Sequence, residues 1–221
     1  MIASRLLIIG LVASALTACT TLEERRQRAE AKKLSDAKAT SRADHAAWRG
    51  APGWRDKTYR NEALIALATD SNSAVEIALR EQRGLLLVDE LIAMDFPVAT
   101  GKRSHPTPAG SYKILGKVKD YKSNLYGKIV DAAGTVVVSD ADSRKDAIPE
   151  GGSFQGARMP YWMRLTNDGI GMHVGYVPGR PASHGCIRLR AQTAGTLFGI
   201  IKTGTPVVIA QAAPALAVAK P

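Results

Sequence analysis

The chain has 221 residues, of which 45% are hydrophobic, so its length suits one domain with a substantial core plus extensions. Thirty basic and 20 acidic residues give a formal net charge of +10, which suits an anionic partner such as nucleic acid, a membrane surface or an acidic cell-wall layer. The sequence has no zinc-finger spacing and no RNA-binding aromatic motif, so we expect no nucleic-acid partner.

Residues 1–18 have the features of a bacterial export signal. Arg5 supplies a positive region, residues 6–16 are apolar but too few to span a membrane, and Cys19 follows Leu-Thr-Ala. This pattern resembles the lipobox of bacterial lipoproteins, which implies cleavage before Cys19 and its acylation. Thr20 is not the Asp that retains such proteins in the inner membrane, so the resemblance favours the periplasmic face of the outer membrane. An ordinary secretory signal with an incidental Cys19 is the alternative.

The cysteine count singles out Cys186. The chain has two cysteines, and a lipidated Cys19 leaves Cys186 without a disulfide partner within the chain. An unpaired thiol in an oxidising compartment is typical of a reactive cysteine rather than of a structural one.

Residues 19–72 are predicted to form a charged stalk and a linker. Helix formers dominate residues 21–44 and apolar residues other than Ala are nearly absent, which predicts a solvated helical or disordered stalk. Residues 22–60 contain eleven basic and six acidic residues, so half of the excess positive charge lies near the membrane end. Two Gly, a Pro and two Trp within residues 45–60 predict a linker, and residues 61–69 predict a short helical turn.

A domain with strand patterns follows at residues 73–210. Alternating or apolar runs predict strands at 74–79, 85–88, 91–98, 111–115, 161–165, 169–174 and 206–209. Helical spacing over 191–202 predicts one helix that ends near Gly204. The polar, weakly periodic residues 117–154 predict an excursion from the core that can act as a flap over a cleft. Strands outnumber helices, which predicts a mainly β fold, and the Ala/Pro-rich tail from 211 to 221 predicts disorder.

Residues 171–190 concentrate the groups that acyl transfer needs. A thiol nucleophile requires a nearby proton acceptor and donors for the developing oxyanion. A compact loop rich in Gly and Pro can bring Cys186 to His173 at the end of a predicted strand, and backbone N–H groups around Gly185 and Cys186 are candidate donors. A zinc site made of His173, His184 and Cys186 is the alternative, but CxxC and HxxxH spacings are absent from the sequence. We therefore expect neither a metal nor a cofactor.

Several segments resemble motifs of one family, the L,D-transpeptidase catalytic domain of the YkuD type. They are SHGC at 183–186 followed by an apolar residue and Arg188, Met-His at 172–173, Thr-Gly at 100–101, TPAG at 107–110 with Tyr112, and GTPV at 204–207. The resemblance covers residues 74–210 and implies an L,D-transpeptidase-like β-sandwich or meander with one or two short helices. There are two departures: nine residues separate His173 from Ser183, fewer than in many members, and Leu189 replaces a frequent Asn.

The resemblance also implies the roles of individual residues. Cys186 is the nucleophile and His173 the general base, oriented by the backbone carbonyl of Val174. Ser183, His184 and Gly185 are implied to shape the oxyanion region and its loop.

Three further residues are candidates for substrate binding. The resemblance implies that Arg188 holds the loop or a substrate carboxylate. Tyr161 and Trp162 are candidates for the wall of the donor groove, with burial in the core as the alternative.

The implied substrate is peptidoglycan. Cys186 attacks the carbonyl between an L-centre of diaminopimelate and the terminal D-Ala of a tetrapeptide stem, and the release of D-Ala leaves a thioester. A second stem, which gives a 3-3 cross-link, a lysine of an envelope protein, or water then resolves the thioester. Two alternatives stay open: an L,D-endopeptidase or carboxypeptidase that uses the same residues, and a non-catalytic wall-binding lipoprotein.

Overall fold

The computed structural model describes residues 3–217, with side chains from Leu22 onward except at positions 30, 33, 34, 37 and 217. The chain divides into two compact units between Asp44 and His45. The first two residues of the predicted signal peptide, the side chain of Cys19 and residues 218–221 of the predicted tail lie outside this description.

The first unit is helical. Helix α1 spans Ala3–Gly50, and its last residues, from His45, belong to the second unit. The side chains of residues 22–29 are exposed, because this stretch offers almost no apolar residue that could be buried. Over the part of the chain that the structure describes, no helix combines the length and apolar character that crossing a bilayer requires.

The second unit is built from eleven strands and a few short helices. The strands are β1 (Tyr59–Arg60), β2 (Ser73–Ala78), β3 (Arg83–Val88), β4 (Leu91–Ala99), β5 (Gly110–Lys113), β6 (Gly116–Val130), β7 (Val136–Asp142), β8 (Ser153–Arg164), β9 (Gly171–Val174), β10 (Ile187–Leu189) and β11 (Pro206–Ala210). The helices are a 3-10 turn (Trp54–Asp56), α2 (Glu62–Ala66), α3 (Ala191–Ile200) and α4 (Pro214–Ala217). The prediction of a mainly β fold is confirmed.

One continuous ladder connects nearly all strands, in the order β5-β11-β2-β3-β4-β10-β9-β8-β6-β7, with β1 paired to β4. Most neighbours are antiparallel, but β10 runs parallel to β9, and β11 runs parallel to β2. The short β10 therefore lies between β4 and β9, which brings the segment around residue 186 next to the segment around residue 173.

The core lies where β2, β3 and β4 meet α3. Residues of β3 are buried along the whole strand, as expected for a central strand covered on both faces. Leu197 of α3 and the following Ile201 are fully buried against this sheet. The helix also packs against β8, where the rings of Phe198 and Tyr161 lie 5.4 Å apart, whereas β6 and β7 at the far end of the ladder are more open to solvent.

Two segments differ from the sequence-based expectation. Residues 117–154 are not an irregular excursion, because β6 and β7 form a long hairpin that pairs with β8. Within the tail predicted as disordered, Pro214–Ala217 form the short helix α4; Ala213 before it is buried, and the backbone N–H of Ala215 donates to the Glu76 carboxylate at 2.9 Å.

The compact unit also begins earlier than the predicted domain. Arg83 of β3 donates to the backbone carbonyls of Arg55 and Lys57, at 2.8 and 3.1 Å. Residues 45–60, interpreted from sequence as a linker, therefore pack within the same unit as the sheet. The predicted domain start at residue 73 falls inside this unit.

Candidate active site

The parallel pair β9–β10 positions the two principal candidates. His173 in β9 is the register partner of Arg188 in β10, and Cys186 directly precedes β10. Cys186 and His173 both line one cleft of about 1180 Å³. Adjacent strands thus bring the predicted nucleophile and the predicted base to the same cavity.

Backbone hydrogen bonds hold the loop before Cys186 against the segment that follows β4. The N–H groups of Ala182 and Ser183 donate to the Thr100 carbonyl at 2.8 and 3.1 Å, and the N–H of Lys102 donates to the Ser183 carbonyl at 2.9 Å. The Thr-Gly segment at 100–101 therefore forms the edge on which the SHGC loop is fixed.

Thr107 fixes the same loop from a second side. Its hydroxyl donates to the Gly185 carbonyl at 2.7 Å and accepts from the Gly101 N–H at 2.8 Å. A side chain at Gly101 has no room, since a Cβ there would lie 2.0 Å from the His105 carbonyl oxygen. Gly185 has a φ of +110°, which side chains other than glycine rarely tolerate. Both glycines are required by geometry.

Ser183 organises the turn that carries Cys186. Its hydroxyl donates to the Cys186 carbonyl and accepts from the Gly185 N–H at 3.1 Å. The Gly185 N–H, one of the two predicted oxyanion donors, is therefore already engaged. The Cys186 N–H is the other predicted donor.

His173 is oriented by a backbone carbonyl. Its Nδ1 lies 2.8 Å from the Val174 carbonyl oxygen, so Nδ1–H donates and Nε2 keeps a lone pair. Burial lowers the pKa of His173 to about 4; the Val174 hydrogen bond opposes this and the Arg188 charge adds to it. The imidazole is therefore neutral at pH 7 and able to accept a proton.

Cys186 is half-buried in the same cleft as His173. Burial raises the pKa of the Cys186 thiol above its usual value, the Gly171 N–H and the Arg188 charge oppose the rise, and Asp168 adds to it. The Sγ lies 3.6 Å from the Gly169 carbonyl oxygen, to which the thiol donates. The free site thus holds a neutral thiol and a neutral imidazole, so a thiolate has to form during attack.

The His184 side chain lies in the cleft wall. Its ring stacks on Tyr126 at a centroid distance of 4.5 Å and meets His105 edge-on at 4.8 Å. Its Nε2 lies 3.0 Å from Lys102 Nζ and 3.4 Å from an Asp140 carboxylate oxygen. Because burial lowers the pKa of His184 and a lysine ammonium only donates, Nε2 accepts from Lys102. His184 therefore connects the SHGC loop to the β6–β7 hairpin.

Sequence reasoning missed these partners of His184. Tyr126, Asp140 and Lys102 lie tens of residues away along the chain, and no local pattern marks them. Only the pairing of β6 with β7 and β8 brings Tyr126 and Asp140 to the SHGC loop.

Of the three candidates for substrate binding, one lines the cleft and the other two pack against aromatic rings. Arg188 lines the cleft, and its aliphatic part packs on Gly175, where an added Cβ would lie 2.9 Å from it. Trp162 is buried beside the His173 ring, with centroids 5.9 Å apart, and stacks on Tyr121. The Tyr161 ring packs instead against Phe198 of α3. Tyr161 is thus placed away from the cleft, among core contacts.

The cleft has an excess of positive charge. It is lined by five cationic residues, Lys122, Lys128, Arg144, Arg158 and Arg188, and by two carboxylates, Asp140 and Asp168. Among the described residues, no group of three His, Cys, Asp or Glu side chains is arranged to hold a metal ion. The lining therefore suits a substrate that carries carboxylates.

Comparison with known protein families identifies the domain that contains this cleft. The family model of the L,D-transpeptidase catalytic domain, YkuD, matches residues 72–209, which is more than half of the chain. The chain belongs to this family. The resemblance of the motifs at 100–110, 172–173, 183–188 and 204–207 is thereby confirmed for the L,D-transpeptidase domain as a whole.

Sequence identity to individual members of the family is low. The chain is 26% identical over 119 residues to the probable L,D-transpeptidase 3 of Mycobacterium tuberculosis H37Rv, a match of 51% of this chain and 37% of that protein. A solved L,D-transpeptidase from Mycobacterium smegmatis is 20% identical, with 63% of this chain and 58% of that chain covered and a TM-score of 0.48. One from Stackebrandtia nassauensis is 21% identical, with 65% and 58% covered and a TM-score of 0.46. The chain thus spans 37% of the length of the curated relative it matches.

Proposed function

We propose that this chain is a cysteine-dependent L,D-transpeptidase that acts on peptidoglycan tetrapeptide stems, with Cys186 as nucleophile and His173 as general base. The observation that carries the proposal is the orientation of His173. With Nδ1–H donated to the Val174 carbonyl at 2.8 Å, Nε2 is the proton acceptor in the cleft that also holds Cys186. Family membership supports the reaction class.

Acylation begins from the neutral pair. Sγ of Cys186 attacks the carbonyl between the L-centre of diaminopimelate and the terminal D-Ala as His173 takes the thiol proton. The oxyanion that forms accepts from the Cys186 N–H, which Ser183 helps to fix through the adjacent carbonyl. Collapse breaks the C–N bond, D-Ala leaves with the proton from His173, and a thioester remains.

Deacylation uses the same groups with a second nucleophile. An amine of a second stem loses a proton to His173 and attacks the thioester, which gives a 3-3 cross-link and regenerates the Cys186 thiol. A lysine of an envelope protein in this position gives protein attachment. If water attacks, the thioester is hydrolysed, and the chain is an L,D-endopeptidase or carboxypeptidase. If neither acylation nor deacylation occurs, the chain is a non-catalytic wall-binding lipoprotein.

Incubation of the protein with a disaccharide-tetrapeptide is expected to release D-Ala and to give a cross-linked dimer, because a second stem competes with water for the thioester. Mass spectrometry of the products separates the outcomes. Dimer supports transfer, and tripeptide alone supports hydrolysis. The Cys186→Ala variant is the matched control, since it keeps the fold and lacks the thiol; equal product patterns for the two proteins would exclude the enzyme hypothesis.

We also propose that the chain is a lipoprotein of the bacterial envelope, anchored through Cys19 with its catalytic unit in the periplasm. The Leu-Thr-Ala-Cys pattern after a short apolar stretch supports this proposal. Several acyl chains anchor stably, since each buried methylene contributes about 0.8 kcal/mol. Thr20 favours the outer membrane over the inner one.

Expression in a Gram-negative host with labelled palmitate is expected to label the wild-type protein and to place it in the outer-membrane fraction. The Cys19→Ala variant should lose the label, whereas Cys186→Ala, which also removes one thiol, should keep it. Label retained in Cys19→Ala would show that the acyl chain is attached elsewhere. A wild-type protein released in soluble form from the periplasm would support the ordinary secretory signal instead.

A further inference from the structure

Two cations lie directly opposite each other in the wall of the cleft. Lys122 of β6 and Arg158 of β8 are register partners in the antiparallel ladder. Directly opposed residues share one face of a sheet, and like charges in this arrangement destabilise the pairing. Both side chains are exposed, and both line the cleft that contains Cys186.

Neither cation is neutralised by the protein. In residues 22–217, within the described side chains, no carboxylate forms an ion pair with Lys122 or Arg158. Arg144 in the same wall differs in this respect, because its guanidinium donates to both carboxylate oxygens of Asp142 at 2.8 Å. Lys128 and Arg188 also lack an ion-pair partner among the described side chains, but neither lies opposite another cation in the ladder, since their register partners are Gln155 for Lys128, and Ala99 and the neutral His173 for Arg188.

The cleft carboxylates do not supply the missing partner either. Asp140 is paired with Lys102, with its carboxylate oxygen 3.7 Å from Lys102 Nζ. Asp168 lies close enough to Cys186 to raise the pKa of its thiol. A like-charge pair without a counter-ion is therefore maintained in the wall of a substrate cleft, where an anionic ligand would remove the repulsion.

We propose that Lys122 and Arg158 form an anion subsite that binds a carboxylate of the stem peptide away from the scissile bond. The assignment rests on the proposed function for its ligand. Arg188 is the cation that acts on Cys186 and His173, whereas Lys122 and Arg158 are not among the charges that shift either pKa. Arg188 thus serves the region of the scissile bond, and the Lys122–Arg158 subsite is assigned to a carboxylate of the stem outside that region. The stem glutamate, whose α-carboxylate is free when its side chain forms the peptide link, supplies such a group.

Binding of two stems that differ in one group tests the subsite without requiring turnover. The first tetrapeptide carries the free glutamate α-carboxylate, and the second carries its amide. In the Cys186→Ala protein, calorimetry is expected to give a Kd about tenfold lower for the free carboxylate, as for a charge-assisted contact near the surface. The difference should shrink as salt is added, because both cations are exposed.

The Lys122→Gln/Arg158→Gln variant in the same background is expected to bind both stems with equal Kd. The matched control is Lys113→Gln/Lys119→Gln, which removes the same charge from two exposed lysines outside the cleft and should keep the tenfold preference. A preference that survives in Lys122→Gln/Arg158→Gln, or its absence from the parent protein, would overturn the subsite. Neither result bears on the proposed reaction, whose failure appears separately as the absence of products from the wild-type enzyme.

Discussion

Replacing His173 with asparagine is expected to slow acylation of Cys186 by a tetrapeptide stem by about 10²- to 10⁴-fold, the usual contribution of a general base. The asparagine amide can keep the donor that His173 Nδ1 directs at the Val174 carbonyl, but it lacks the proton acceptor at Nε2. Because the free thiol is neutral, attack requires a group that takes its proton, and Nε2 of His173 is the proposed acceptor. The measurement is single-turnover release of D-Ala, and an unchanged rate would remove His173 from the role of base.

The pH dependence of stability provides an independent check on the His173 environment. Its pKa is about 4 in the folded chain against 6.5 for an unperturbed histidine. Between these two pH values the unfolded state therefore binds more protons than the folded state. The contribution of His173 to the free energy of unfolding is fully present above pH 6.5 and is lost as the pH falls towards 4. This loss amounts to about 3 kcal/mol. It should be missing from the His173→Asn variant in urea unfolding followed at both pH values.

The neutral resting pair also has a chemical signature. Alkylation of Cys186 by iodoacetamide should rise with pH with a midpoint above that of free cysteine, about 8.5, because burial raises the thiol pKa. A preformed thiolate–imidazolium pair would instead give a plateau at neutral and mildly acidic pH. Such a plateau would show that the proton is transferred before substrate binds.

The sequence named candidate reactive residues but not the groups that hold them. Cys186 and His173 are predicted from chemistry, cysteine counting and motif resemblance, and the family match confirms the domain in which they lie. The contribution of Thr107 is visible only in the fold, because its hydroxyl reaches Gly185, 78 residues away. Hydrogen bonds over such separations leave no periodic signal in a sequence.

The β6–β7 hairpin escaped prediction for a physical reason. Alternation of apolar and polar residues marks a strand only when one of its faces is buried. Much of β6 is exposed or half-buried on both faces, so its residues lack this alternation. A bulge between Lys122 and Gly127 breaks the pairing of β6 with β8 further. The exposed character of this hairpin, which hid it in the sequence, also makes its side chains available to the cleft.

The second unit contains a buried charge cluster that the sequence analysis did not predict. Asp95 is fully buried within the apolar strand β4. Its carboxylate accepts from Arg83 at 2.7 Å and from Arg49 at 2.8 Å, and lies 2.9 Å from His45 Nε2. Burial tends to raise the pKa of Asp95, but the His45 hydrogen bond and the two arginines outweigh it and lower this pKa. The cluster thus fixes residues 45–50 to the central strands.

Replacing Asp95 with asparagine is expected to reduce the free energy of unfolding by about 3–5 kcal/mol, the usual result of removing one partner of a buried ion pair. The loss is large because Arg83, with 1% of its surface exposed, keeps its charge without a counter-ion. Urea unfolding at pH 7, followed by tryptophan fluorescence, measures it directly, since the Arg83 guanidinium lies 5.5 and 5.3 Å from the ring centroids of Trp48 and Trp54.

The matched control for Asp95→Asn is Glu62→Gln. Glu62 also accepts from an arginine, Arg60, but its side chain is 70% exposed. Water screens that pair, so its loss should change stability much less. Equal effects of the two substitutions would mean that the Asp95 cluster is hydrated in solution. A larger loss of stability for Asp95→Asn would show that an ion cluster without water holds residues 45–50. The second unit would then depend on these residues for its stability, although the family match begins only at residue 72.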